Sequence, residues 1–188
     1  MIGTCTKWIE KKFSKYDSLI KLYSLYYRNI VEKEIQLANV KSCDKVLCIG
    51  GGSIPCTAIE IANQTNAHIH VLDIDESAVE CARHVIEKLG LHEKITVING
   101  KGQDIDIGPY DVVHLALQVS PKEEVLKNVW EKSKEGNRII VRMPRKTLNP
   151  FYSNITDDFI KKNLKAISSV AIGYKAKTMN EVLLMEKV

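Results

Sequence analysis

Short apolar runs of four to six residues recur along this chain, separated by longer stretches whose apolar residues return every three or four positions. The first pattern is that of buried strands and the second that of helices with one face covered. Runs at Lys45–Ile49, His68–Leu72, Ile95–Ile98, Asp111–Ala116 and Arg138–Arg142 read as strands. Two more fit Ala166–Ile172 and Glu181–Glu186. Between them, Ile54–Ala62, Glu76–Leu89 and Pro121–Ser133 carry the helical period. A longer helix is predicted over 17–38, with Asp17 and Ser18 as N-caps and Leu19, Tyr23, Tyr26, Ile30 and Leu37 on one stripe. Strands that alternate with helices imply right-handed crossovers and a mostly parallel sheet, so the class is α/β.

At 188 residues the chain is one domain with room for a real core, and no repeat or linker interrupts it. A 45% hydrophobic and 27% charged composition excludes a disordered tail, a fibrous repeat and a disulfide scaffold. No apolar run approaches the ~20 residues that span a bilayer. The N-terminal residues soon turn polar and basic, so neither a secretory leader nor an N-myristoylation signal is expected. Lys7, Lys11, Lys12 and Lys15 stand there among Trp8, Phe13 and Tyr16, the pattern of a solvated basic helix. The excess of 27 cations over 23 anions, +4, does not by itself argue for a nucleic-acid partner. Five cysteines without a CxxC pair fit reduced thiols in a cytoplasmic protein, with no metal site.

The chemistry concentrates after the first two strands. The first ends in Gly50-Gly51-Gly52, followed by Ser53, Ile54 and Pro55. Glycine permits a sharp turn at positive φ and lets a ligand approach the backbone. The second strand ends in Asp73-Ile74-Asp75, with Asp73 standing 22 positions beyond Gly51. About 20 is the spacing between a nucleotide-binding turn and the carboxylate that accepts from both ribose hydroxyls. Turn, spaced acid and alternating elements together argue for an adenosine-type ligand. In a dinucleotide site a third glycine would stand where Pro55 does, and proline adds bulk and lacks an N–H.

These residues resemble class I S-adenosylmethionine-dependent methyltransferases. Val46–Gly52 is similar to their first motif, Val71–Ala78 to the ribose motif, Gly100–Asp104 to the adenine loop, and Tyr110–Leu117 to the fourth-strand motif. Within that superfamily the chain most resembles the nicotianamine synthase-like group over roughly residues 22–188. Ile49-Gly50-Gly51-Gly52-Ser53-Ile54-Pro55, Asp73-Ile74-Asp75, Pro121-Lys122…Val125…Asn128 and Ile139–Arg142 carry that likeness. It implies a Rossmann-like fold with a seven-stranded, mostly parallel sheet and helices on both faces. Residues 1–40 would form a helical lid and 41–188 one compact cofactor-binding unit. Three features depart from the pattern. The family carries a larger helical part before the first strand, Lys101 stands where methyltransferases often have an acid, and Cys48 replaces an acid in the first motif.

The resemblance implies S-adenosylmethionine as cofactor and a small-molecule acceptor. Gly50, Gly51, Gly52, Ser53, Ile54 and Pro55 would line it, with Asp73, Ile74 and Asp75 at the ribose. Gly102 and Gln103 would border adenine, and Ala116, Leu117 and Gln118 the transfer edge. Tyr26 and Tyr27 fall where the group has a substrate-side tyrosine. Transfer from a sulfonium is an in-line displacement that needs positioning more than a catalytic triad. Methyl transfer is the favoured expectation. The alternatives are nicotianamine synthase-like aminocarboxypropyl transfer to an amine, an NAD-binding oxidoreductase, and a non-catalytic cofactor-binding subunit. A homodimer is compatible with the sequence. Glu32 and Glu34 read as a solvated helix face, His114 as a core or sheet-face histidine, and Asn149-Pro150-Phe151-Tyr152 as a turn.

Overall fold

The computed structural model describes residues 17–163, 167–173 and 179–187. Helix α1 (Asp17–Ala38) is followed by β1 (Lys45–Ile49), α2 (Cys56–Thr65), β2 (His68–Asp73), α3 (Glu76–Lys88) and β3 (Ile95–Asn99). Then come β4 (Val112–Leu115), α4 (Lys122–Lys132), β5 (Arg138–Pro144), a 3-10 turn (Lys146–Phe151), α5 (Asp157–Asn163), β6 (Ile167–Gly173) and β7 (Met179–Lys187). The basic aromatic segment 1–16, Cys5 and Ala166 lie outside the described residues.

Seven strands form one sheet in the order β3-β2-β1-β4-β5-β7-β6. The first five run parallel, and β7 pairs antiparallel with both β5 and β6. The order reverses at β1, whose two neighbours are β2 and β4. Such a switch point leaves a crevice beyond the carboxyl ends of β1 and β4, because the connections leave in opposite directions.

Strand alternation builds two cores. Val46 and Cys48 of β1, Val112 of β4 and Ile140 of β5 face one layer, where they meet buried residues of α1, α2 and α3. Leu47 and Ile49, Val113 and Leu115, and Ile139 and Val141 face the other, against Val125, Leu126, Val129 and Trp130 of α4. These three central strands, β1, β4 and β5, are covered on both sides, which is why their runs are almost continuously apolar rather than alternating.

Helix α1 is tied to this body at its C-terminal end. Arg138 of β5 donates to the carbonyls of Ala38 and Asn39, both at 2.8 Å, and pairs with Asp44 at 2.9 Å. These carbonyls are left without partners by the end of the helix, so a cation there is favourable. Glu34, read from sequence as solvated, is buried, whereas Glu32 is exposed. Its partners are on β4 and β5, as described below. Among the described residues, no helix is long and apolar enough to cross a membrane.

Candidate functional site

The turn after β1 is shaped by all three glycines, each for its own reason. Gly50 and Gly52 have φ of +83° and +65°, a region that side chains strain to adopt. Gly51 is there for space: a Cβ at this position would stand 2.1 Å from Cγ1 of Val71 on β2. A Cβ on Gly50 would come 2.8 Å from Val119 Cγ2 and 3.3 Å from the Ala116 Cβ, so the chain after β4 lies directly against the turn.

The carboxylate at the end of β2 closes the same corner. Asp73 Oδ2 accepts from the Gly52 N–H at 2.7 Å, and Oδ1 accepts from the Asp75 N–H at 3.0 Å. A carboxylate offers about four acceptor positions, so two remain for a ligand. Asp75 plays a different part. Its Oδ1 accepts from the Ser77 N–H and hydroxyl and from the Ala78 N–H, which caps α3. Pro55 precedes α2 as its N-cap, and Ile54 is part of the core.

These elements enclose a cavity of about 220 Å³. Gly50, Gly52 and Ser53 form one wall, and Asp73 and Ile74 a second. Gly102 and Gln103 form a third, and Gln118 a fourth. Ile74 is an exposed apolar side chain, at 62% of its surface, placed on this rim. The structure therefore brings together Gly50, Gly52, Ser53, Asp73, Ile74, Gly102, Gln103 and Gln118. Gly51, Ile54, Pro55, Asp75, Ala116 and Leu117 are not among the cavity's lining residues. Tyr26 and Tyr27 are not among the lining residues.

Sequence reasoning left out several lining residues: Ile49, Leu72, Ala78, Val119, Ser120 and Val125. All but Ser120 are apolar, and such residues carry no signal distinguishing a cavity wall from a core. Lys101 also lines the cavity, from the loop where the adenine-contacting segment was expected. A second hollow, of about 320 Å³, lies between α3 and the edge strand β3. It is away from the strands' carboxyl ends, and Arg83 there spends Nε and Nη2 on the Val97 carbonyl.

A buried charged cluster lies between α1 and the strands β4 and β5. Glu34 Oε1 and Oε2 accept from Arg142 Nε and Nη2, both at 2.7 Å, and Oε2 lies 3.3 Å from His114 Nε2. Burial alone would raise the Glu34 carboxyl, yet Arg142 and His114 together hold it down at about 2. Burial, with Glu34 close by, pushes the Cys48 thiol up to about 12 although Arg142 pulls the other way. The Arg142 guanidinium lies 5.4 Å from the ring centre of Tyr27, a cation–π distance. Tyr27 in turn meets Tyr26 edge to face at 5.3 Å. Tyr26 is half exposed, while Tyr27 is packed against the core.

The model of the nicotianamine synthase protein family matches residues 8–188. The chain belongs to that family.

A solved structure of a Glu-to-Gln variant of MtNAS in complex with S-adenosylmethionine superposes with a TM-score of 0.81 at 25% identity, covering 98% of this chain and 73% of that one. MtNAS in complex with MTA and tNA also gives 0.81 at 25% identity, covering 99% and 71%. A Methanococcus maripaludis S-adenosyl-L-methionine-dependent methyltransferase gives 0.70 at 16% identity over 97% of this chain and 93% of its own, a likeness of fold. The fold is thus the Rossmann-like one of class I methyltransferases, as the resemblance implied. Among curated proteins, L-histidine 2-aminobutanoyltransferase of Yersinia pestis is 26% identical over 120 residues, or 64% of this chain and 45% of the relative. The Pseudomonas aeruginosa enzyme of the same name is 26% identical over 114 residues, 60% of this chain and 43% of its own. The chain spans less than half the length of these curated relatives.

Proposed function

We propose that this chain binds S-adenosylmethionine in the cavity between the glycine turn and Asp73, and transfers its aminocarboxypropyl group to an amine on a small molecule. The observation that carries the reading is the Asp73 carboxylate. It is fixed by the Gly52 and Asp75 amides and lies on the cavity wall with acceptor capacity to spare. Two neighbouring ribose hydroxyls are donors that match it. Ile74 offers a flat apolar contact for adenine, bordered by Gly102 and Gln103. The absence of a Cβ at Gly50 and Gly52 gives the methionine arm access to the backbone.

S-adenosylmethionine brings an activated sulfonium, so one of its carbon–sulfur bonds breaks as the acceptor nitrogen attacks. The chain's contribution is orientation and exclusion of water. Asp73 fixes the ribose. Gln118 borders the transfer edge, and Ala116 and Leu117 precede it in the chain. Tyr27 is the better candidate of the two tyrosines for the acceptor side, because Arg142 holds its ring while Tyr26 is half exposed. The segment ahead of β1 serves as cover on that side. The curated relatives' names support transfer of a four-carbon amino-acid group, akin to the aminocarboxypropyl arm, over the methyl transfer first expected.

The products decide between these. Incubation with S-adenosylmethionine and a panel of amines should release methylthioadenosine. Release of S-adenosylhomocysteine instead would make the chain a methyltransferase. Cofactor binding with neither product would return it to a binding module.

A further inference from the structure

Lys122, the first residue of α4, has no exposed surface at all. Its Nζ donates to the carbonyls of Ala116 at 2.9 Å and Leu117 at 3.1 Å, and its backbone N–H donates to Ser153 Oγ at 2.8 Å. Among the described residues no carboxylate lies within ion-pair distance of this ammonium. Burying an ammonium without a counter-ion is costly, and a methionine would fill the same space at no electrostatic cost. Its position accounts for its presence. The two carbonyls begin the stretch that continues through Gln118, Val119 and Ser120, all of which line the cavity. The Ala116 and Val119 side chains of that stretch lie against Gly50.

We propose that Lys122 is a positioning residue for the transfer, holding the 116–120 lip of the cavity against Gly50 from behind. The inference rests on the reading of the cavity as the S-adenosylmethionine site. A consequence concerns charge. A sulfonium seated on one side of the lip faces a like charge on the other, so ligand binding favours the neutral amine. That amine keeps two N–H groups, enough for both carbonyls. Burial, reinforced by the Arg142 cation on β5, brings Lys122 down to about 7, where the exchange is accessible. The other titratable group acting here is His114 on β4, with Glu34 of α1 paired behind it and Arg142.

The test is calorimetric titration of S-adenosylmethionine and S-adenosylhomocysteine into the wild-type chain and Lys122→Met at pH 6 and pH 8. The ratio of the two affinities cancels groups common to both ligands. In the wild type this ratio should shift at least threefold toward the sulfonium between pH 6 and pH 8. In Lys122→Met it should be flat, and S-adenosylhomocysteine should bind about tenfold more weakly with little change in Tm. Equal S-adenosylhomocysteine affinity in the two proteins, or a flat wild-type ratio, would overturn the inference. If Lys122→Met does not fold, the wild-type ratio alone decides. Absence of S-adenosylhomocysteine binding to the wild type would instead strike down the reading of the cavity, and this inference with it.

Discussion

Glu34 on α1 and Arg142 on β5 are joined by two N–H···O bonds of 2.7 Å, and neither residue is more than 6% exposed. The pair bridges 108 positions of sequence. It fixes α1 to the sheet beside His114 and places the Arg142 guanidinium under Tyr27. A bidentate pair of this kind is geometrically demanding, and removing one partner leaves a buried charge uncompensated.

Glu34→Gln should therefore cost about 3–5 kcal/mol, which at this chain length lowers Tm by roughly 10 °C. The pair also sets an acid limit. The folded-state value of Glu34, about 2, lies below the 4.5 of an unperturbed carboxyl. Stability from this group is then present above about pH 4.5 and lost as pH falls from 4.5 toward 2. Thermal melts between pH 5 and pH 2.5 should slope more steeply in the wild type than in Glu34→Gln. Parallel slopes would remove Glu34 from the account.

The three glycines should separate by mutation. Gly51→Ala places a methyl against Val71, an overpacking that costs about 1–3 kcal/mol. Combining it with Val71→Ala should give a protein more stable than the sum of the two single changes predicts, since the shortened side chain makes room. Thermal melts of the four proteins measure this. Simple additivity would place the Gly51 constraint elsewhere.

The two tyrosines should not be equivalent. With the Tyr27 hydroxyl handling a proton on the acceptor side, Tyr27→Phe should slow methylthioadenosine release at least about 100-fold, the low end for a positioned acid or base, while Tyr26→Phe changes it less than about twofold. Initial rates at saturating cofactor measure both. Equal losses would contradict the assignment of Tyr27 over Tyr26.

Much of this architecture was legible in the sequence because it depends on local periodicity. Of the five parallel strands, β1, β4 and β5 are runs buried on both faces while β2 and β3 keep exposed positions, and the limits of all five agree with the structure to within two residues. The glycine turn and Asp73 were legible because their spacing follows from one strand–helix–strand unit. Glu34 was not. It sits two residues from exposed Glu32 on the same helix, and only the packing of α1 on β4 and β5 decides which carboxylate is covered. Lys122 stood among the residues that carry the likeness, but its burial was hidden for a similar reason. A lysine at a helix start reads as solvated, and its burial comes from carbonyls supplied by the preceding loop and a hydroxyl from Ser153. The short helix α5 was missed altogether. Its seven residues are too few to set a period.

The cavity's identity depends most directly on Asp73, and titration of S-adenosylhomocysteine into the wild type and Asp73→Asn tests it. The account predicts saturable binding at one site in the wild type. In Asp73→Asn it predicts binding about 100-fold weaker, the loss of two charge-assisted hydrogen bonds, with Tm within a few degrees of wild type. Unchanged affinity in Asp73→Asn would mean that the adenosyl group lies somewhere other than between the glycine turn and this carboxylate.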